Sequence, residues 1–345
     1  MKTYTNFPIP NTFDLTVKAK KFVEIENVND IPAALKNIEG KSFFILGSGS
    51  NTLFLNDFYD GTILKIVSKN VTIIENEPDD DDNNIVYINV DAGMDWNDFV
   101  NFTVEQNLYG AENLAYIPGT VGASPIQNIG AYGQEVSNII SFVEGYNFSK
   151  NDFDVLSNSD CNFGYRDSIF KNELKNNFII TTVGFVLNKE KNLNINYKDI
   201  QQYIEQNNLD LNDLTSKDIA NIVTNIRKKK LPHYNKLPNA GSFFKNPIVN
   251  KGQYEKLVSH FPEAASIFYK ISEDKYKIPA AFLIEKAGLK GYKDGNVGTH
   301  INQPLVIVNY GAETGREILF FANKIKNIVL EKFGIELHSE VNIIE

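Results

Sequence analysis

Cysteine is almost missing from this chain: Cys161 is the only one in 345 residues. A lone cysteine excludes an internal disulfide and a cysteine-rich metal site, and it fits a reducing compartment, so the cytoplasm is the expected location. Histidine is scarce as well. His233, His260, His300 and His338 show no pairing at metal-ligand spacing, so no metal is expected. No run approaches the roughly 18 apolar residues of a membrane span, and the opening segment Met1 to Pro8 has no long apolar core, so neither insertion nor export is expected. Positive charge is in the minority. With 34 Lys and Arg against 43 Asp and Glu, the net charge of -9 argues against nucleic acid as a general partner, because a phosphate backbone is held by clustered cations. Internal repeats are absent too.

What is present is enough apolar material, 42% of the chain, for two or three cores. The most informative stretch runs from Asn113 to Gly133. It sets Gly119, Gly122, Gly130 and Gly133 with Pro118 and Pro125 among small and apolar residues and carries no charge. Its backbone must turn sharply and lie bare against something, either a ligand or other parts of the protein. For a ligand, main-chain N–H groups and short hydroxyls suit a buried diphosphate.

Around this run the pattern is mixed. Phe43 to Leu46, Thr52 to Leu55, Gly61 to Ile66, Val71 to Ile74, Ile85 to Val90, Ile139 to Phe148 and Phe178 to Leu187 read as strands. Between two of them the acidic block Asp79 to Asp82 reads as a solvated loop, since like charges repel and show no ordered ligand spacing. Asp95 caps a helix with Trp96, Phe99, Val100 and Val104 on one face. Thr215 with Asp218 forms a capping box ahead of the stripe Ile219, Ile222, Val223 and Ile226, and a domain boundary is expected just before it. Ile278 to Leu289 reads as a helix, Val306 to Val308 as a strand, and Thr314 to Lys332 as a helix opened by Thr314 with Glu317 and stopped by Gly334. The expected organisation is α+β: residues 1-67 and 68-212 as two subdomains and 213-345 as a C-terminal domain.

Four further places carry chemistry. Gly47-Ser48-Gly49-Ser50-Asn51 lacks the lysine of a P-loop and the third glycine of a Rossmann fingerprint, which leaves a bare turn able to hold a diphosphate from one side while Ser124 holds it from the other. One large nucleotide-like cofactor lying between two subdomains is expected from such a pair of loops. Arg166, beside Tyr165 in a turn, is suited to a carboxylate or developing oxyanion, or else forms a surface pair with Asp167. Lys228, Lys229 and Lys230 complement a helix C-terminus, with Lys230 the one kept as a candidate. Ser242 has no Gly-x-Ser-x-Gly elbow and no histidine nearby in sequence, so it reads as a proton donor or hydrogen-bond partner and not as a hydrolase nucleophile. Glu340 alone reads as an ordinary exposed tail carboxylate.

These motifs together resemble the UDP-N-acetylenolpyruvoylglucosamine reductase family of peptidoglycan synthesis. The resemblance runs from about Asn11 to Ile344. It rests on residues 47 to 51, Ile117 to Tyr132, Tyr165-Arg166-Asp167-Ser168, Ala240 to Pro247 and Ser339-Glu340, in that order. Ile195-Asn196-Tyr197 matches the tyrosine loop of the family's first type. The likeness implies the FAD-binding fold of vanillyl-alcohol-oxidase and PCMH-type flavoproteins in two subdomains, plus a C-terminal domain that closes over substrate. It implies non-covalent FAD at Gly47, Ser48, Gly49, Ser50, Asn51, Ile117, Pro118, Gly119, Thr120, Gly122, Ser124, Pro125, Asn128, Gly130 and Ala131. The implied catalytic trio is Arg166, Ser242 and Glu340, with substrate contacts from Tyr132, Tyr165, Tyr197, Lys230, Asn246 and Gln303.

The implied reaction uses NADPH to reduce the enolpyruvyl group of UDP-N-acetylglucosamine enolpyruvate to UDP-N-acetylmuramate, in a cytoplasmic monomer that serves cell-wall biogenesis, cell shape and division. Two other classes remain open on sequence. One is a flavin oxidase or dehydrogenase for a free sugar or alcohol, although Cys161 and the histidines fall outside the glycine loops where a covalent flavin link would be sought. The other is a nucleotide-sugar-binding protein without activity, against which the joint presence of Arg166, Ser242 and Glu340 speaks.

Overall fold

The computed structural model describes residues 1–36, 38, 42–74 and 84–345, so the acidic block Asp79 to Asp82 lies outside the described residues. The chain divides into two compact units. The first comprises Met1–Phe7, Ala19–Ser48 and Asp60–Lys229; the second comprises Pro8–Lys18, Gly49–Tyr59 and Lys230–Glu345. The described residues contain no helix long and apolar enough to cross a membrane.

In the first unit, a four-stranded sheet has the order Lys2–Pro8, Lys18–Ile25, Phe58–Ile66 and Phe43–Ile45, the last pair parallel. A five-stranded antiparallel sheet has the order Asp152–Ser157, Ile140–Asn147, Phe178–Asn188, Ile85–Asp91 and Val71–Ile74. Its middle strand is buried along most of its length because helix Trp96–Glu105 lays its apolar stripe there. Phe99 stacks on Phe185 at 4.4 Å, and Trp96 meets both rings. The Trp96 indole N–H is not orphaned, since it donates to the Leu114 carbonyl at 2.9 Å. Asp95 caps this helix by accepting from the N–H groups of Asn97 and Asp98, the arrangement that its sequence position requires.

Helix Ser216–Lys230 begins with the expected box: the Asp218 carboxylate accepts from Thr215 N, and Thr215 Oγ1 accepts from Asp218 N. Its stripe of Ile219, Ile222, Val223 and Ile226 joins the same core as Trp96 and Phe185. The compact unit therefore continues through Lys229, beyond the boundary expected before Thr215. Apolar burial, which has no regard for chain order, holds the helix there.

The second unit holds an antiparallel sheet in the order Asn239–Ser242, Val306–Asn309, Val297–Thr299 and Lys293–Asp294. A parallel pair joins Asn342–Ile344 to Thr52–Phe54. Helix Gly315–Phe333 has the Thr314 and Glu317 capping box at one end and Gly334 at the other. The helix expected over Ile278 to Leu289 is shorter, Ala280–Lys286, because Pro279 takes the N-cap and its predecessor cannot be helical.

Cys161 is fully buried in the first unit. Burial, with Asp160 adding to it, pushes its thiol up to about 12. Since the thiolate is the reactive species, the native protein should not react with an aromatic disulfide reagent at pH 8, and one thiol per chain should appear on unfolding. Rapid labelling of the native form would contradict this burial.

Candidate functional site

In the first unit the two glycine motifs meet. A Cβ at Gly47 would lie 3.0 Å from Thr120 Oγ1 and 3.2 Å from the Ala123 methyl, so the turn at Gly47-Ser48 closes directly on the uncharged run. That run is fixed by an isolated bridge between Asp95 and Thr120, in which Trp96 N donates to Gly119 O and Val121 N to Met94 O. Among the described residues, the N–H groups of Gly119 and Thr120 donate to no carbonyl. A half-buried, uncharged turn offering amides of this kind suits the diphosphate of FAD.

Other glycines and polar residues of these motifs also make contacts within the protein. A Cβ at Gly122 would come within 2.5 Å of the Ala92 methyl. One at Gly49, where φ is +73°, would come within 2.1 Å of Pro10 O. Both backbones are bare because protein packs against them. Ser124 is 1% exposed and gives its hydroxyl proton to Val121 O at 2.8 Å. Asn128 is equally buried. It donates to Glu135 and to Gly164 O and accepts from Ser137 N, tying the glycine run to the arginine turn.

That turn is closed by reciprocal bonds, Gly164 N to Asp167 O and Asp167 N to Gly164 O, leaving Tyr165 and Arg166 at its tip. Arg166 takes a left-handed φ of 53°, a conformation that a bulky residue holds only when its surroundings fix it. They do so here. Its guanidinium donates to Gly130 O at 2.6 Å and to Asn128 O at 3.3 Å and lies 5.4 Å from the Tyr165 ring centre. Tyr132, at φ 50°, places its ring edge-on to Tyr197 with centres 5.1 Å apart. Burial raises the Tyr132 phenol above its ordinary range, while Arg227 opposes the rise, so the hydroxyl stays protonated at neutral pH and can donate. The first unit thus gathers Tyr132, Tyr165, Arg166 and Tyr197. Arg227 belongs to the same neighbourhood and was hidden in sequence among four consecutive basic residues.

In the second unit, Ser242 ends the strand Asn239–Ser242 after Gly241, whose left-handed φ of 71° borders open space. Asn239 organises the approach by donating to the carbonyls of Pro232 and Leu237 and accepting from Gly241 N. Phe243 N donates to Leu305 O, and Glu340 N donates to Phe243 O at 2.8 Å. Phe244 and Ser339 form an isolated bridge beside that bond. Glu340 is therefore half-buried and one backbone bond from the residue after Ser242, unlike a loose tail carboxylate. Asn51 reinforces this. It donates its amide to Glu340 O at 3.3 Å and accepts from Asn342 N at 3.0 Å, so the end of the first glycine motif braces the Glu340 segment.

Of the remaining candidates in this unit, Lys230 is exposed at the end of its helix, and Asn246 Oδ1 accepts from Ala280 N as a helix cap. Gln303 Oε1 and His300 Nδ1 are buried and have no partner among the described residues, which marks both as groups awaiting one. Burial lowers the His300 pKa, so its ring is neutral near pH 7. The described residues contain no group of three or more His, Cys, Asp and Glu placed to hold a metal.

Comparison with known proteins accounts for these features. The family model for an FAD binding domain matches residues 19–153. The one for "UDP-N-acetylenolpyruvoylglucosamine reductase, C-terminal domain" matches residues 232–344. The reductase of that name from Flavobacterium johnsoniae is 42% identical over 100% of both chains. That from Chromobacterium violaceum is 40% identical over 96% of this chain and 95% of its own. A crystal structure of the Thermus caldophilus enzyme shares the fold, with a TM-score of 0.64 over 97% of this chain and 96% of that one at 20% identity. The α+β architecture of an FAD-binding fold followed by a C-terminal domain is thereby established, and the chain belongs to the UDP-N-acetylenolpyruvoylglucosamine reductase family of FAD-dependent oxidoreductases.

Proposed function

We propose that the chain reduces UDP-N-acetylglucosamine enolpyruvate to UDP-N-acetylmuramate with NADPH as reductant, and that Ser242 supplies the proton. The chemistry FAD contributes when bound is hydride transfer, from NADPH to the terminal vinyl carbon. The double-bond electron pair then moves toward the substrate carboxylate, giving an enolate. Arg166 offers a forked cation to that charge, already aimed by its bonds to Gly130 O and Asn128 O. The Ser242 hydroxyl protonates the carbon bearing the ether oxygen and is reprotonated from solvent. A serine is a weak acid, and the basicity of the enolate makes the transfer feasible. Glu340 fixes the geometry of the carboxylate end or its protonated form. Tyr132, Tyr165 and Tyr197 provide ring faces and hydroxyls for the nucleotide sugar, and Lys230, Asn246 and Gln303 its polar contacts.

The observation that carries this reading is the backbone bond from Glu340 N to Phe243 O, which holds the carboxylate residue beside the serine turn. The test is steady-state turnover of FAD-loaded protein in D2O. NADPH oxidation should depend on the enolpyruvyl nucleotide sugar, and the product should carry one non-exchangeable deuterium on the carbon next to the ether oxygen. Equal NADPH consumption without that substrate would mean an oxidase and would overturn the proposal.

A further inference from the structure

Asn113 opens the uncharged run, is 1% exposed, and has no role in the reaction proposed above. Its side-chain amide spends its donors on two separate stretches of the first unit: Nδ2 donates to Tyr132 O at 2.9 Å and to Asn194 O at 2.8 Å. Asn194 returns the contact. Its own Nδ2 donates to Gly133 O at 3.0 Å, and it lies so close over that glycine that a Cβ there would come within 3.3 Å of the same nitrogen. Two asparagines therefore clasp the segment ahead of Tyr197 onto the Tyr132-Gly133 turn. Among the described residues, 192–196 make no hydrogen bond other than these two at Asn194. Leu193 and Ile195 add partly buried apolar contact, which is non-directional and does not fix where the segment points. Just beyond it, Tyr197 caps helix Lys198–Gln206, accepting from the N–H groups of Ile200 and Gln201, and its ring stands edge-on to Tyr132. The Oδ1 of Asn113 is buried without a partner among the described residues, a cost that a residue serving only to fill space would not carry.

We propose that Asn113 and Asn194 are positioning residues for substrate binding: their amide clasp holds Tyr197 against Tyr132, so that the two phenols meet the nucleotide sugar as one preformed surface. The inference rests on the function proposed above, in which both tyrosines contact that substrate. A surface ordered in advance lowers the ordering cost of binding, so loss of the clasp falls on substrate affinity and not on the chemical step.

The test is a double-mutant cycle in FAD-loaded protein: Asn194→Ala, Tyr197→Ala and the two combined, with Asn192→Ala as the control, an exposed neighbour on the same segment. The Kd of UDP-N-acetylglucosamine enolpyruvate is read from perturbation of the flavin spectrum, and kcat is measured alongside. Asn194→Ala is expected to weaken Kd by about three- to tenfold, the worth of one net hydrogen bond, with kcat unchanged. In the Tyr197→Ala background the same substitution adds less than about twofold, because a residue that acts through Tyr197 has nothing left to position. Asn113→Ala gives the same selective loss of affinity; should it fail to hold FAD, the Asn194 cycle decides. Additive losses in the double variant, an Asn194→Ala Kd equal to that of Asn192→Ala, or a deficit that falls on kcat overturn the inference. So does an unchanged Kd in Tyr197→Ala while the wild type still binds and turns over the substrate. A wild-type chain whose flavin spectrum does not respond to this substrate would instead defeat the proposed function.

Discussion

Replacing Ser242 by alanine is expected to lower kcat by roughly 10²- to 10⁴-fold while FAD stays bound, the range for loss of a positioned proton donor. The bonds that shape its surroundings are main-chain ones: Phe243 N to Leu305 O, Glu340 N to Phe243 O and Gly241 N to the Asn239 side chain. None uses the serine hydroxyl, so Ser242→Ala should fold and bind substrate with little change in KM. The deficit should therefore sit in kcat, as expected for a group that acts only after hydride transfer has begun. Steady-state kinetics at saturating substrate, with the flavin spectrum recorded alongside, checks this. A variant within threefold of the wild type would remove Ser242 from the chemistry.

Arg166→Gln is expected to cost about 10²- to 10³-fold in kcat, the size of effect seen when a preorganised donor to a developing oxyanion is lost. At least two of the guanidinium's donors are committed to Gly130 O and Asn128 O, and this commitment aims the fork. Glutamine keeps a donor but neither the charge nor the fork, whereas Arg166→Lys keeps charge alone and should fall between the two. The backbone stays left-handed for any of these residues, so the strain at φ 53° is common to all three proteins and cancels in the comparison. A loss confined to KM would show that Arg166 binds substrate and transition state equally.

Much of the fold was legible because local chemistry and tertiary packing agree. Asp95, the Thr215 box and the Thr314 box announce their helices, and all three act as caps. Strand Phe178–Asn188 is apolar enough to be read directly. Several elements were not legible, and two show why. Lys18–Ile25 hides its buried positions among lysines, and Lys198–Gln206 has few apolar residues with which to mark a helical face.

The site was legible by motif more than by physics. Bare backbone signals close approach but not what approaches. At Gly49 the neighbour is Pro10 and at Gly122 it is Ala92, while Gly47 faces the uncharged run itself. Asn51 reads as part of a glycine turn, yet its work depends on Glu340, far along the chain. Arg227 is indistinguishable in sequence from the lysines beside it. Helical phase sets Lys228 apart but not Lys229, because Arg227 and Lys229 flank the stripe of Ile219, Ile222, Val223 and Ile226 about equally, so the inward placement of Arg227 is a tertiary fact.

The central claim is that Ser242 protonates the substrate after hydride has been delivered. Anaerobic stopped-flow absorbance tests it most directly: FAD-loaded wild type and Ser242→Ala are bleached with NADPH and then mixed with UDP-N-acetylglucosamine enolpyruvate. Bleaching should proceed at the same rate in both proteins; because hydride transfer to the vinyl carbon is reversible until the enolate is trapped by protonation, the yellow colour should return rapidly in the wild type and be slowed by orders of magnitude in the variant. Return of colour at the wild-type rate in Ser242→Ala would contradict the account.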